Sequence, residues 1–442
     1  MQTPFYLLSL TVSGIKNIEK PLEIRFYKES IINNFNPKNY RIKSIYGEND
    51  SGKTAIVTAV KILQDILLNQ NYLSDRLTQQ NLVENINKKT RSGFIQIEYY
   101  FRDKVMPWIE QYHIDFEVRE DNRFYISGEC LRTKNGRYSQ NKFDTIYETK
   151  NGSLVYYATQ EMLPILKDKT RNLLDQRSFT SFVRVIQEEM NKIAYDSLIH
   201  VLFLKVLMVL INVYIDEADD HRRYIYSKLI SELPGRKLEE TEELITEVAE
   251  QKISYSDDRE SVPKDQIENY KAFVSGMCSF IKIFKPDLLD ILVETKERED
   301  AYRCNLIMQY PDYSIDAEFE SRGIRKMMDL YAVLNQASKG GIAFIDELDA
   351  SINDVYLGKL LEYFAYYGKG QLIFTAHNLS PMKILKSKKN AISFISSTNT
   401  IRTWACDGNR NPENAYRDGF IEDSPFNIDA TDFLGILGGV DE

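Results

Sequence analysis

Gly47-Glu48-Asn49-Asp50-Ser51-Gly52-Lys53-Thr54 stands between an apolar run at residues 40–46 and a stretch with apolar residues at helical spacing: Ala55, Ile56, Val57, Val60, Ile62 and Leu63. A glycine-framed turn closed by Gly-Lys-Thr leaves few options for its surroundings, because it needs a strand to enter from and a helix to open into. Gly47 and Gly52 let the backbone fold so that successive N–H groups, across Asn49, Asp50 and Ser51, converge at a helix N-terminus where the dipole favours an anion. Lys53 then supplies a point charge to β- and γ-phosphate oxygens, and the Thr54 hydroxyl is a ligand for Mg²⁺. An accidental turn of this pattern would arise in on the order of one per cent of chains of this length. The loop therefore predicts a nucleoside triphosphate site, with ATP and Mg²⁺ as its ligands.

The second half of such a site lies far downstream. Gly341-Ile342-Ala343-Phe344-Ile345-Asp346-Glu347 reads as an apolar strand ending in two carboxylates, which a parallel sheet would deliver to the edge where the loop sits. Asp346 is expected to hold Mg²⁺, and Glu347 to polarise a water for in-line attack on the γ-phosphate. Upstream, Ser321-Arg322-Gly323 opens a helix-like stretch at 324–335, with Ser321 as N-cap and free N–H groups that suit an anion or plain capping. Downstream, Gly370-Gln371-Leu372-Ile373-Phe374-Thr375-Ala376-His377-Asn378 is another apolar strand, ending in one of only 4 histidines.

That order of motifs resembles the ABC-type ATPase heads of the RecF, SMC and OLD-like proteins, and most closely the bacterial AAA-15 ATPases, whose architecture is ABC-like. Asp346-Glu347-Leu348-Asp349-Ala350-Ser351-Ile352 is similar to their Asp-Glu-x-Asp-x-Ser-Leu segment, and Thr375-Ala376-His377-Asn378 to their Thr-x-His-Asn switch histidine. Ser321-Arg322-Gly323 resembles a reduced signature motif, and residues 9–20 resemble the family's opening hairpin. The chain departs at Glu320 and Arg322, where relatives usually carry a Leu and a small residue, and at Asn353-Asp354, where many carry His-Pro. The resemblance implies a homodimer or higher homo-oligomer in which ATP is sandwiched between two copies. Ser321 and Gly323 of one would reach the γ-phosphate held by Lys53 of the other, and His377 would read that phosphate. Residues 349–353 would line the dimer seam, and Gln160 is the candidate for the family's lid glutamine.

The fold class expected is α/β: an ABC-type head of mixed sheet with flanking helices and an antiparallel β lobe, interrupted by a helical insertion. The alternating runs at 93–101 and 111–118 predict the lobe. The division expected is residues 1–158 for the first half of the head, 159–304 for a helical arm too short for a long coiled coil, and 305–442 for the second half. At 442 residues, 43% apolar and 12% aromatic with 28 Tyr, the chain has the means to fill about two or three lobes. Residues 198–215 are apolar, but His200, Lys205 and Asn212 interrupt them, and a central Lys costs about 3 kcal/mol in a bilayer, so a buried or dimer-facing helix is expected there. The N-terminus reads as a first strand and not a leader. Cys130, Cys278, Cys304 and Cys406 are widely spaced and suit reduced thiols of a cytoplasmic protein.

A net charge of −9 argues against a broad nucleic-acid surface, and the basic clusters at 88–91, 167–171 and 383–389 read as solvated loops. Two roles follow from the resemblance. One is a nucleotide-driven switch governing a separate effector, a nuclease or toxin, in bacterial anti-phage defence; the other is a RecF-like clamp acting on DNA. An OLD-like nuclease would need a further catalytic domain, for which 378–442 is too short. The acidic, apolar segment 421–442 is either a partner-docking element or a terminal piece of the head.

Overall fold

The structure, a computed structural model, describes residues 5–27, 35–102, 107–137, 142–182, 195–215, 260–388, 390–405 and 411–424. Among them, a 6-stranded sheet runs in the order Ile401–Thr403, Ile392–Ile395, Ile42–Tyr46, Gln371–Thr375, Ile342–Ile345, Ile211–Tyr214. All neighbours are parallel except Ile401–Thr403, which pairs antiparallel at one edge. Successive side chains of a strand point to opposite faces. Ile45, Phe344 and Ile373 therefore enter one apolar core while Tyr46, Ile345 and Phe374 enter the other. A sheet buried on both faces favours apolar strands, as in Ile342–Ile345; strand Ile42–Tyr46 departs from this at Lys43 and Ser44, which are buried with it.

The first core is shared with a 7-stranded antiparallel lobe, ordered Leu22–Arg25, Phe5–Ser13, Ser92–Arg102, Pro107–Val118, Phe124–Asn135, Asp144–Lys150, Ser153–Tyr157. Its period-two alternation is the one expected from the sequence. Ile95, Ile97 and Ile114 face inward and join Ile56, Val60 and Leu63 of helix Lys53–Leu68 in one cluster. Burying each such side chain contributes roughly 1.5–3 kcal/mol, so the lobe and the loop-bearing helix hold each other in place.

The described part of 159–304 is not uniformly helical, which corrects the expectation of a helical arm. Helices Leu163–Lys169, Tyr195–Leu210 and Ile267–Ile281 are present, yet Ile211–Tyr214 is a strand of the central sheet. Glu260–Pro263, Asp290–Glu297, Ala301–Gln309 and Ser314–Asp316 form a separate 4-stranded antiparallel sheet. The apolar run at 198–215 is thus a buried helix only as far as Leu210. Ile211 and Val213 are β-branched and pair with Ile342 and Phe344. Gln64 of the loop-bearing helix caps the junction, donating Nε2 to the Met208 carbonyl at 2.8 Å and to that of Ile211. Among the described residues no helix is long and apolar enough to cross a membrane.

Cys130, Cys278 and Cys304 are buried and form no disulfide with one another. Cys406, the charged stretch 236–250 and the segment beyond 424 lie outside the described residues.

Candidate functional site

The glycine loop begins where strand Ile42–Tyr46 ends. A Cβ on Gly47 would lie 2.5 Å from the Ile395 carbonyl and 2.6 Å from Ser51 Oγ, so no other residue fits this position. Gly52, at φ +106°, turns the chain into helix Lys53–Leu68, a conformation only glycine adopts without strain. The helix thus starts with free N–H groups directed at the loop it closes. Asn17, from the hairpin between the first two strands, donates its side-chain amide to the Asp50 carbonyl and braces the loop from outside. Ser51 is buried and its Oγ has no partner within the protein. Lys53 is buried, with Nζ donating to the Gly47 and Glu48 carbonyls at 2.8 Å each. Burial lowers its pKa, and the carboxylates of Asp346, Glu347, Asp349 and Glu48 oppose that shift. The two motifs read separately in the sequence therefore share one electrostatic environment.

The acid strand is not the loop strand's neighbour. Gln371–Thr375 lies between them, with Thr375 in register with Ile45 and Phe374 with Ile345. This strand order gives Thr375 a role that the sequence reading did not assign. Its hydroxyl donates to Asp346 Oδ1 at 2.5 Å and accepts the Glu347 N–H at 2.8 Å. On the other side, the Asp346 N–H donates to the Tyr214 carbonyl at 2.8 Å. Asp346 is thereby fixed and buried, and Glu347 leaves the strand at φ +47° with its carboxylate half-exposed.

His377, two residues beyond Thr375, brings Nε2 to 3.6 Å from Glu347 Oε1. Asp349 holds that turn, its Oδ2 accepting from the N–H groups of His377 at 2.9 Å and Asn378 at 2.5 Å. Its Oδ1 is buried without a partner. Asn378 is tied in turn to Asp354, so the Asn353-Asp354 pair that departs from the family pattern has a local function: Asn353 caps helix Asp354–Tyr366, and Asp354 anchors the histidine turn.

Ser321 and Gly323 lie elsewhere in the same chain. Ser321 is the N-cap of helix Arg322–Lys339, its Oγ accepting the Ile324 N–H at 3.4 Å. A Cβ on Gly323 would meet the Ser351 carbonyl at 3.1 Å, which places this helix start against the segment after the acid strand. Glu320 is not idle in the position of the family's Leu. It accepts from the Ser321 N–H at 3.0 Å and from the Tyr310 hydroxyl, clamping the residue before the helix. Gln160 donates to the neighbouring Tyr157 carbonyl at 2.8 Å, a local contact that does not connect it to the loop.

Chemically, the edge offers a cation, a backbone cradle, hard oxygen ligands and a carboxylate–imidazole pair. The fit to a Mg²⁺-triphosphate is good: Mg²⁺ takes one or two protein oxygens and fills its octahedron with phosphate and water. Thr54, in the first turn of the loop-bearing helix, and Asp346 carry oxygens of that kind, and no cluster of three or more His, Cys, Asp or Glu residues with metal-holding geometry exists among the described residues.

No protein-family model matches the chain, and no curated protein is close enough to count as a relative. Solved structures share its outline at low identity. The Smc head domain from Pyrococcus furiosus, bound to the C-terminal domain of ScpA, is 16% identical with a TM-score of 0.44, covering 90% of this chain and 96% of that one. The SMC head domain from Thermotoga maritima is 13% identical at 0.33, covering 90% and 99%. The recombination mediator RecF with ATPrS is 12% identical at 0.38, covering 91% and 99%. Likenesses of this order carry no inference about chemistry, for which the geometry above is the basis.

Proposed function

We propose that this chain is a Mg²⁺-dependent ATPase that works as a nucleotide-driven switch between two copies of itself. The observation that carries the reading is the meeting of Lys53, Asp346, Glu347, Asp349 and His377 at one end of a parallel sheet, beside a loop too tight for any side chain at Gly47. Backbone N–H groups of 49–53 and the Lys53 ammonium bind the phosphates. Lys53 leaves the Gly47 and Glu48 carbonyls to do so, exchanging two neutral acceptors for anionic ones. Glu347 accepts a proton from water as the water oxygen attacks the γ-phosphorus, and ADP departs with the bridging oxygen's electron pair. His377, with Nε2 3.6 Å from the Glu347 carboxylate, donates to a γ-phosphate oxygen in this reading. Bound Mg²⁺, held by Thr54 and Asp346, would offset charge on the phosphate oxygens.

Ser321 caps its own helix at Ile324 and Gly323 lies against Ser351 rather than against the loop, and this supports their use in trans across a homodimer. The net charge of −9 supports a switch acting on a separate effector, as in anti-phage systems, with a DNA clamp as the alternative. In the basic cluster at 88–91, Lys88 pairs with Glu84, Lys89 with Glu19, and Arg91 donates to the Arg119 carbonyl.

Mixing variants tests the trans arrangement. Ser321→Arg and Lys53→Ala subunits, each inactive alone, should regain part of the ATPase activity when combined, because one site of each heterodimer has an intact loop and an intact helix start. Heterodimers that demonstrably form, yet remain inactive in single turnover, would contradict it.

A further inference from the structure

Glu347 occupies the left-handed region at φ +47°, where a residue with a side chain is rarely found unless its surroundings hold it. Three bonds hold it. Its N–H donates to Thr375 Oγ1 at 2.8 Å, and its carbonyl accepts from Lys326 Nζ at 2.8 Å and from the Ala350 N–H of the following turn at 3.0 Å. Lys326 is 3% exposed and belongs to helix Arg322–Lys339, whose Met327, Met328 and Leu330 line the second core. Lysine is seldom buried this deeply without a specific partner. An apolar side chain would serve the packing equally well, so the packing does not explain the ammonium. Its head lies 5.7 Å over the ring of Tyr214, whose carbonyl in turn accepts the Asp346 N–H at 2.8 Å. The cation therefore stands at the turn where both acidic residues leave their strand.

We propose that Lys326 is a positioning residue for ATP hydrolysis: it pins the peptide that follows the Glu347 side chain and so sets the direction of the carboxylate. The inference rests on Glu347 being the base. It also links two parts of the site that are otherwise apart. The helix that presents Ser321 and Gly323 carries, little more than one turn further on, the ammonium that holds Glu347 of the same chain. Movement of that helix start changes the aim of the base.

The test uses the full chain with Lys326→Met, which keeps the apolar stem and removes the donor, and Lys326→Arg, which keeps a cationic donor. Each is made alone and with Glu347→Gln. Lys326→Met should bind labelled ATP within about threefold of wild type but lose about 10²-fold in single-turnover hydrolysis, the scale for displacing a reacting group by about 1 Å. Lys326→Arg should recover to within about tenfold, and Lys326→Met should add less than about twofold to the loss in Glu347→Gln, since no base remains to be aimed. A lysine that only supports the fold would lower melting temperature and ATP affinity together, and its loss would add in full to that of Glu347→Gln. Hydrolysis by Lys326→Met within about twofold of wild type, or additive losses, would overturn the proposal. If Lys326→Met does not fold, Lys326→Gln, with a shorter neutral donor, is read by the same criteria. Slow Glu347→Gln with fast Lys326→Met removes only the role of Lys326; fast Glu347→Gln removes the base and the proposal together.

Discussion

The antiparallel lobe and the edge of the central sheet both bury acidic groups, and they treat them in opposite ways. In the lobe, Glu129 accepts from the Tyr112 hydroxyl at 2.6 Å, Ser178 Oγ at 2.6 Å and the Phe179 N–H at 2.7 Å, and Glu110 is bound by Tyr99 and by His200 of helix Tyr195–Leu210. Burial raises the pKa of both carboxyls, and these hydrogen bonds oppose it. At the sheet edge, Asp349 keeps one oxygen without a partner, Ser51 Oγ has none, and Glu347 and His377 stay half-exposed. An orphan atom alone does not mark a site, because Thr133 Oγ1 and Tyr157 OH in the lobe are also unpartnered. What distinguishes the edge is that its open valences converge on a buried cation, Lys53. Completed networks clamp elements together; incomplete ones around a charge are left for a ligand.

Substitutions in the two regions should therefore fail differently. Glu129→Ala leaves a hydroxyl pair and a backbone N–H buried without their acceptor, at about 1–3 kcal/mol each. Denaturant unfolding should show a loss of about 4 kcal/mol, while ATP affinity, measured where the variant is still folded, stays at the wild-type value. Lost ATP binding with unchanged stability would erase the distinction. Lys53→Ala should show the converse. Among the described residues its Nζ bonds carbonyls of its own loop, so stability should move by less than about 1 kcal/mol, but affinity for labelled ATP should fall at least about 10²-fold, or about 2.7 kcal/mol.

The same contrast explains what was legible in the sequence. The loop, the acid pair and the histidine are carried by short runs with a fixed local geometry, so Gly47, Lys53, Asp346, Glu347 and His377 can be read from pattern alone; in the structure Lys53 feels the charges of Asp346 and Glu347, and His377 stands 3.6 Å from Glu347. Thr375 and Lys326 act through strand order and helix packing, which no local pattern encodes: Thr375 matters because its strand falls between the loop and the acids. The strand Ile211–Tyr214 was hidden because four residues after a long apolar helix continue its hydrophobic run. The sheet at 260–316 was hidden by strands with many exposed positions, such as Asp290–Glu297. Asn17 gave no signal of its own, being an ordinary hairpin residue until the fold sets it under Asp50.

The central claim, that the sheet edge hydrolyses ATP through Glu347, is met most directly by one measurement: single-turnover hydrolysis of labelled ATP by Glu347→Gln beside wild type, with bound nucleotide identified at each time. The geometry predicts ATP bound at wild-type affinity and retained intact, with hydrolysis slowed by at least about 10²-fold. ADP appearing at the wild-type rate would contradict it.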